Sequence, residues 1–154
     1  MRPILAVLLV AFACTPLAQA KPRATPDSSY APEDVVRIVL RGLAKPDDPT
    51  PNAGIETSFR FASPDNRAKT GPLPKFIKLV QNPIYTPLLG HQRALRGEIE
   101  VSGDAARERV RVIAKDGSQA AYIFLLKRQP EGSDCSRCWM TEAVVRVEKE
   151  GGAT

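Results

Sequence analysis

Apolar residues recur at three- and four-residue spacing early in the chain, directly after residue 34. This spacing places them on one face of an α-helix. The residues on that face are Val35, Val36, Val39, Leu40 and Leu43. Pro32-Glu33-Asp34 is typical of a helix start, because proline fits the first helical position and acids favour the positive end of the helix dipole. The pattern predicts a first helix over residues 32–44.

Two shorter helical segments follow. Residues 45–54 contain three prolines and a glycine, so they predict a loop. Residues 55–62 predict a second helix, which Ser63-Pro64 is expected to end. Residues 73–80 predict a third helix, because their apolar side chains form one stripe.

After Pro83 the pattern changes to the alternation that is typical of strands. Residues 96–101 and 107–114 alternate, residues 120–126 are apolar on both faces, and residues 138–148 alternate again. Asp116-Gly117 is a strong signal for a tight hairpin turn. Helices followed by strands predict an α+β fold, in which N-terminal helices pack on one face of a curved antiparallel sheet, a meander of about four strands.

A tight turn at Asp116-Gly117 also predicts a strand register. It places Arg111 opposite Tyr122 and Arg109 opposite Phe124, and Glu100 falls opposite Arg109 if residues 102–107 form the preceding loop. One sheet face would then carry a Glu–Arg–aromatic ladder. Such a ladder is either a solvated face held by cross-strand pairs or a partly covered interface, for example in a homodimer.

The first twenty residues have the features of a secretory signal peptide. Arg2 precedes a short apolar run, and Ala18-Gln19-Ala20 is a cleavage site of the small-x-small type. Lipidation of Cys14 is an alternative. The sequence therefore predicts export to the periplasm, the extracellular medium or a thylakoid lumen, without stable membrane insertion after cleavage. The predicted divisions are a signal peptide at 1–20, a flexible leader at 21–31, one domain at 32–148 and a frayed tail at 149–154.

Charge argues against a nucleic-acid partner. The chain has 22 Lys and Arg against 17 Asp and Glu, a net charge of +5, with acids interleaved among the bases. Phosphate binding needs bases clustered on one face.

Cys135 and Cys138 would be the remaining thiols after cleavage. In an oxidising compartment we expect them to form a structural disulfide. The rival interpretation is a redox pair, which needs its first Cys at a helix N-terminus. The pair is also one half of a zinc site, but no second half is present, so we predict no metal.

No motif in the sequence identifies an enzyme. His91 is the single histidine, and a structural role is expected for it, although it is the one candidate imidazole for acid–base chemistry. We predict no cofactor.

Several packing and turn residues resemble those of a small-domain family known as domain of unknown function 4864. The segment SFRFASP at 58–64 carries the resemblance, together with Tyr85-x-Pro87-Leu88 and the Trp-containing strand that follows Cys138. The resemblance implies a cone of helices around a curved sheet, similar to the nuclear transport factor 2-like and ketosteroid-isomerase-like superfamily. The family has no established activity, so the resemblance assigns no catalytic residue.

Such a cone would usually enclose a pocket. Ser63 and Tyr85 are candidates to line it, while Arg60, Asn66 and Arg67 are candidate anion contacts near its mouth. The leading hypothesis is a non-catalytic domain that binds a small molecule or a protein partner. The alternatives are a pocket hydrolase, isomerase or dehydratase that uses a carboxylate with Tyr85 or His91, and a dimeric assembly module.

Overall fold

Four helices precede four strands in a computed structural model that describes residues 23–148. The helices are α1 (Pro32–Ala44), α2 (Ala53–Arg60), α3 (Pro64–Thr70) and α4 (Leu73–Val80), and a 3₁₀ turn follows at Thr86–Leu88. The strands are β1 (Arg93–Ser102), β2 (Ala105–Ile113), β3 (Gln119–Arg128) and β4 (Trp139–Val147). The predicted signal peptide at 1–20 and the predicted tail at 149–154 lie outside the described residues.

The strands form one antiparallel meander in the order β1-β2-β3-β4, which confirms the predicted α+β class. Alternate residues of β2 and β3 are buried, and they pack with the apolar side of α1 into one core. No helix among the described residues is long and apolar enough to cross a membrane.

Helix α1 begins as predicted. Pro32 occupies the first turn, and the carboxylate of Asp34 accepts a hydrogen bond from the backbone N–H of Ala31 at 3.0 Å. Helix α2 crosses α1 closely at two glycines: a Cβ atom on Gly54 would collide with the carbonyl oxygen of Gly42. The sequence places glycine where two helix backbones touch.

Helix α3 is the element that the sequence analysis missed. Ser63-Pro64 does not only end α2; it also starts α3, because the Ser63 hydroxyl accepts a hydrogen bond from the backbone N–H of Asn66 at 3.0 Å. Serine as cap and proline at the first helical position form a typical helix start.

The predicted Glu–Arg–aromatic ladder is wrong. Arg109 pairs with Ile123 and Arg111 with Ala121, so Tyr122 and Phe124 lie on the opposite face, in the core. The β2–β3 loop is one residue longer than predicted, and a slip of one residue moves every side chain to the other face. Glu100 pairs with Arg107 instead of Arg109.

Irregularities in the two edge strands also change the face of the sheet to which their side chains point. Between Arg96 and Ile99 the register of β1 shifts, so Arg96 reaches the helix side of the sheet. There its guanidinium holds the carboxylate of Glu108 through two hydrogen bonds, at 2.5 and 2.7 Å. Only 1% of the Glu108 side chain is exposed. A buried carboxylate requires such a partner.

Residues 23–31, predicted to be a flexible leader, lie along α2. Arg23 forms an ion pair with Glu56 at 2.8 Å, and the Tyr30 ring lies 6.1 Å from that of Phe61. These contacts anchor the described part of the segment to the domain.

Candidate functional site

A small cavity of about 70 Å³ lies between the helices and strand β4. Helix α1 supplies one wall and α4 another, and β4 closes the side towards the sheet. Most of the lining side chains are apolar: Val39, Leu43, Ala62, Phe76, Leu79, Val80, Leu88 and Val144. The cavity is therefore a gap in the hydrophobic core, positioned where the helices meet the last strand.

Thr141, which lines this cavity, carries an unpaired hydroxyl. The residue is 4% exposed, and its Oγ1 atom is the one buried side-chain polar atom within residues 23–148 that has no hydrogen-bond partner. An unpaired buried hydroxyl costs roughly 1–3 kcal/mol. Thr141 therefore offers a hydrogen bond that the protein itself does not use.

The backbone holds Thr141 firmly in position. Its N–H donates to the carbonyl oxygen of Phe61 at 2.7 Å, and its own carbonyl accepts from the Ser63 N–H at 2.9 Å. The amide of Asn66 donates to the same carbonyl at 3.0 Å. Directly after Thr141 the β3–β4 register shifts by one residue. This bulge turns Thr141 towards the helices.

The other polar residues that line the cavity already donate to carbonyls. The hydroxyl of Ser58 donates to Gly54, that of Thr70 to Asn66 at 2.9 Å, and that of Tyr85 to Val144 at 3.2 Å. None of the lining residues is an aspartate, glutamate, histidine, lysine or arginine. The lining of the cavity is neutral, and Thr141 is the lining residue whose hydroxyl has no partner.

Of the candidate residues, Tyr85 and Asn66 line the cavity and the others do not. Ser63 caps α3 and donates its hydroxyl to the carboxylate of Glu142 at 2.7 Å, which ties α3 to β4. His91 is buried outside the cavity, where its Nδ1 atom lies 2.7 Å from the carbonyl oxygen of Leu88 and donates to it. This contact matches the structural role expected for the histidine.

Arg60 and Arg67 lie on a separate surface groove of about 470 Å³, beside Cys135 and Met140. Arg60 donates to the carbonyl of Ala24 at 2.8 Å, and Arg67 to that of Ala62 at 2.9 Å. Both guanidinium groups thus hold backbone in place, and their contact with an anion stays a prediction.

Cys135 and Cys138 form the predicted disulfide, with Cα atoms 5.5 Å apart. The pair lies in a turn directly before β4, and no helix of the described chain begins at Cys135. Within residues 23–148 no group of three or more Asp, Glu, His or Cys side chains is arranged to hold a metal ion.

Thr141 is the residue that the sequence analysis missed. Strict alternation along residues 138–148 placed Thr141 on the same face as Ala143 and Val145. The bulge separates them: Thr141 pairs with Leu126 on the helix side, and Ala143 with Leu125 on the other side. A threonine among Val and Ala residues was a weak signal of this position.

No family model, curated protein or solved structure matches this chain.

Proposed function

We propose that this chain is an exported binding domain whose cavity takes a small, neutral, mostly apolar molecule with one hydrogen-bonding group. The observation that carries the proposal is the unpaired hydroxyl of Thr141, a residue that lines a cavity whose other polar side chains already have partners. A ligand carbonyl or hydroxyl would supply the missing partner.

The size of the cavity limits the ligand. A water-sized group needs about 10–15 Å³ of cavity volume, so a cavity of about 70 Å³ holds roughly five such groups. The most efficient small ligands gain about 1.5 kcal/mol per non-hydrogen atom, which limits the affinity to a micromolar dissociation constant or weaker. Short alcohols and ketones fit these limits.

Binding is better supported than catalysis. A general acid or base must titrate near the working pH and lie within hydrogen-bond reach of the reacting group. Tyr85 is the one titratable residue among those that line the cavity, and its hydroxyl donates to the carbonyl of Val144. The enzyme alternative would need a carboxylate or His91 to enter the cavity.

Two further parts of the proposal concern origin and family. Export is supported by the features of residues 1–20 and by the disulfide, which is typical of oxidising compartments. Relationship to the domain of unknown function 4864 is supported by the resemblance of residues 58–64 and by helices that precede a four-stranded meander.

Ligand-linked stabilisation tests the binding proposal. Thermal unfolding is measured with 2-butanol, butanone and isopentane, which match in size. We expect 2-butanol and butanone to stabilise the wild type by about 1.4 kcal/mol at ten times the dissociation constant, and isopentane at the same concentration to stabilise it less. Thr141→Val should abolish this preference and, without ligand, should stabilise the protein by about 1 kcal/mol because it removes an unpaired hydroxyl.

Thr70→Val is the matched control. It also removes a hydroxyl at the cavity, but one that donates to the Asn66 carbonyl, so we expect a loss of stability and an unchanged ligand preference. The proposal is wrong if none of the three compounds stabilises the wild type, or if Thr141→Val retains the preference for 2-butanol and butanone.

A further inference from the structure

The sheet face opposite the helices carries apolar side chains along its last two strands. The outward residues of β3 and β4 in the paired region are Ala121, Ile123, Leu125, Ala143, Val145 and Val147. An antiparallel sheet with one solvated face normally alternates apolar and polar residues. From Ala121 to Leu125 on β3 and from Ala143 to Val147 on β4, the outward residues are all apolar, and the exposed Lys127 follows on the same face at the end of β3.

This apolar area is accessible. Val145 on β4 is 47% exposed, and Leu95 on β1, which pairs with Arg111, is 43% exposed. The helical core occupies the other side of the sheet. Contiguous apolar surface on a soluble domain marks an interaction site more often than scattered apolar residues do.

Arginines form a row on β2, next to the outward apolar residues of β3 and β4, which we call the floor. Arg107, Arg109 and Arg111 all point outward, and Arg107 forms an ion pair with Glu100 at 2.6 Å. Within residues 23–148, Arg109 and Arg111 have no carboxylate within ion-pair distance.

The two unpaired arginines share one depression. They line a concavity of about 550 Å³ at the end of the sheet, which includes Ala121 on the outward face and reaches Ile84 and Arg146 at the edge. Glu148 is the single acidic residue of this lining. Ala121 lies between Arg111 on β2 and Val147 on β4.

We propose that this face docks an acidic amphipathic segment of a partner protein. Apolar side chains of the segment would cover the floor formed by β3 and β4, and its carboxylates would meet Arg109 and Arg111. Charge complementarity selects this occupant, because a second copy would bring a like-charged arginine row to the same face. The docking face and the cavity are on opposite sides of the sheet, so this inference does not rest on the proposed ligand.

A designed helical peptide tests the proposal. The probe has leucine along one stripe and glutamate beside it, and the matched peptides carry glutamine or lysine in place of glutamate. Fluorescence anisotropy with the exported chain should show saturable binding of the glutamate peptide, weakened by salt. The double variant R109Q/R111Q should weaken this binding by about fivefold or more, as expected for the loss of two exposed ion pairs.

R41Q/K78Q is the control, since it removes two exposed charges from α1 and α4 and should leave binding unchanged. Thermal unfolding confirms that both double variants fold. The proposal is overturned if the glutamate peptide does not bind, or if R109Q/R111Q binds it as the wild type does. A dimer in ultracentrifugation that Val145→Glu dissociates would also overturn it. So would anionic lipid vesicles that bind the protein through Arg109 and Arg111 while the peptide does not bind.

Discussion

Single residues acquire their roles in this protein through small irregularities of the backbone. Thr141 reaches the helix side because the β3–β4 register shifts directly after it, and Arg96 reaches Glu108 because β1 shifts after Arg96. Each shift changes the face to which side chains point. Alternation along the sequence therefore does not predict the face on which Arg96 lies, or the separation of Thr141 from Ala143.

Tyr122 is a titratable residue that the core affects. Its hydroxyl donates to the carbonyl of Ile84 at 2.7 Å and accepts from Arg146 at 3.0 Å. Burial raises the pKa of the Tyr122 phenol above its usual value, while the guanidinium of Arg146 acts in the opposite direction. The folded protein thus keeps the phenol protonated at a pH where the unfolded chain begins to lose that proton.

This difference predicts a loss of stability at alkaline pH. The unfolded phenol titrates near pH ~10, so above that pH the unfolded state binds fewer protons than the folded state, and the free energy of unfolding falls as pH rises. Tyr122→Phe should show a smaller fall. Chemical unfolding between about pH 9 and 11 measures it.

Tyr30→Phe is the control for this series, because Tyr30 is only partly buried. Tyr30→Phe removes a phenol hydroxyl and leaves the contacts of Tyr122 with Ile84 and Arg146 in place. If the free energy of unfolding falls equally with pH in Tyr122→Phe and in the wild type, the fall does not come from Tyr122.

At the scale of elements, long periodic segments were predictable and short ones were not. The apolar spacing and the Pro32 start predicted α1 with its observed ends. Helix α3 was missed because its seven residues contain a single buried side chain, Asn66, and hence no apolar period. Its start signal, Ser63-Pro64, is also a common stop signal.

The β2–β3 hairpin shows a second limit. The turn at Asp116-Gly117 was correctly located, but the loop spans three residues between Ala114 and Ser118 rather than two. Gly117 adopts a positive φ of 84°, which suits glycine in either loop. The local sequence does not distinguish these loops, although they place opposite faces of β3 against the core.

The disulfide belongs to the element scale because it closes the turn that leads into β4. Backbone hydrogen bonds also hold this turn: the N–H of Gln129 donates to the carbonyl of Cys138 at 2.8 Å, and that of Arg137 to Gln129 at 3.1 Å. The disulfide adds a constraint to a loop that already has a defined path.

Replacement of both cysteines by serine should leave a folded protein. Closing a four-residue loop removes only about 2 kcal/mol of unfolded-state entropy, so we expect a loss of that size or less and a modestly lower melting temperature. Calorimetry of the double variant measures it. Free thiols in protein purified from an oxidising compartment, or insulin-reductase activity that the double variant loses, would support the redox interpretation instead.

At the scale of the whole molecule, the cavity arises from packing between segments far apart in sequence. Tyr85 was a candidate for the pocket from the sequence, and so was Asn66 near its mouth. The empty volume itself was not predictable, because it depends on how α1, α4 and β4 fit together. The outer face was not predictable either. Its apolar residues are visible in the sequence, but the side of the sheet to which they point depends on a register difference of one residue.

Localisation of a bound ligand tests the central claim most directly. Methyl-labelled protein is titrated with 2-butanol and followed by two-dimensional NMR, with Val144→Ile as a variant that reduces the cavity. The account predicts saturable shifts at methyl groups of Val39, Val80 and Thr141, unchanged signals at the outward-facing Leu95 and Val145, and weaker binding to Val144→Ile. Shifts that do not saturate, or that are as large at Leu95 and Val145, would contradict a binding site in the cavity.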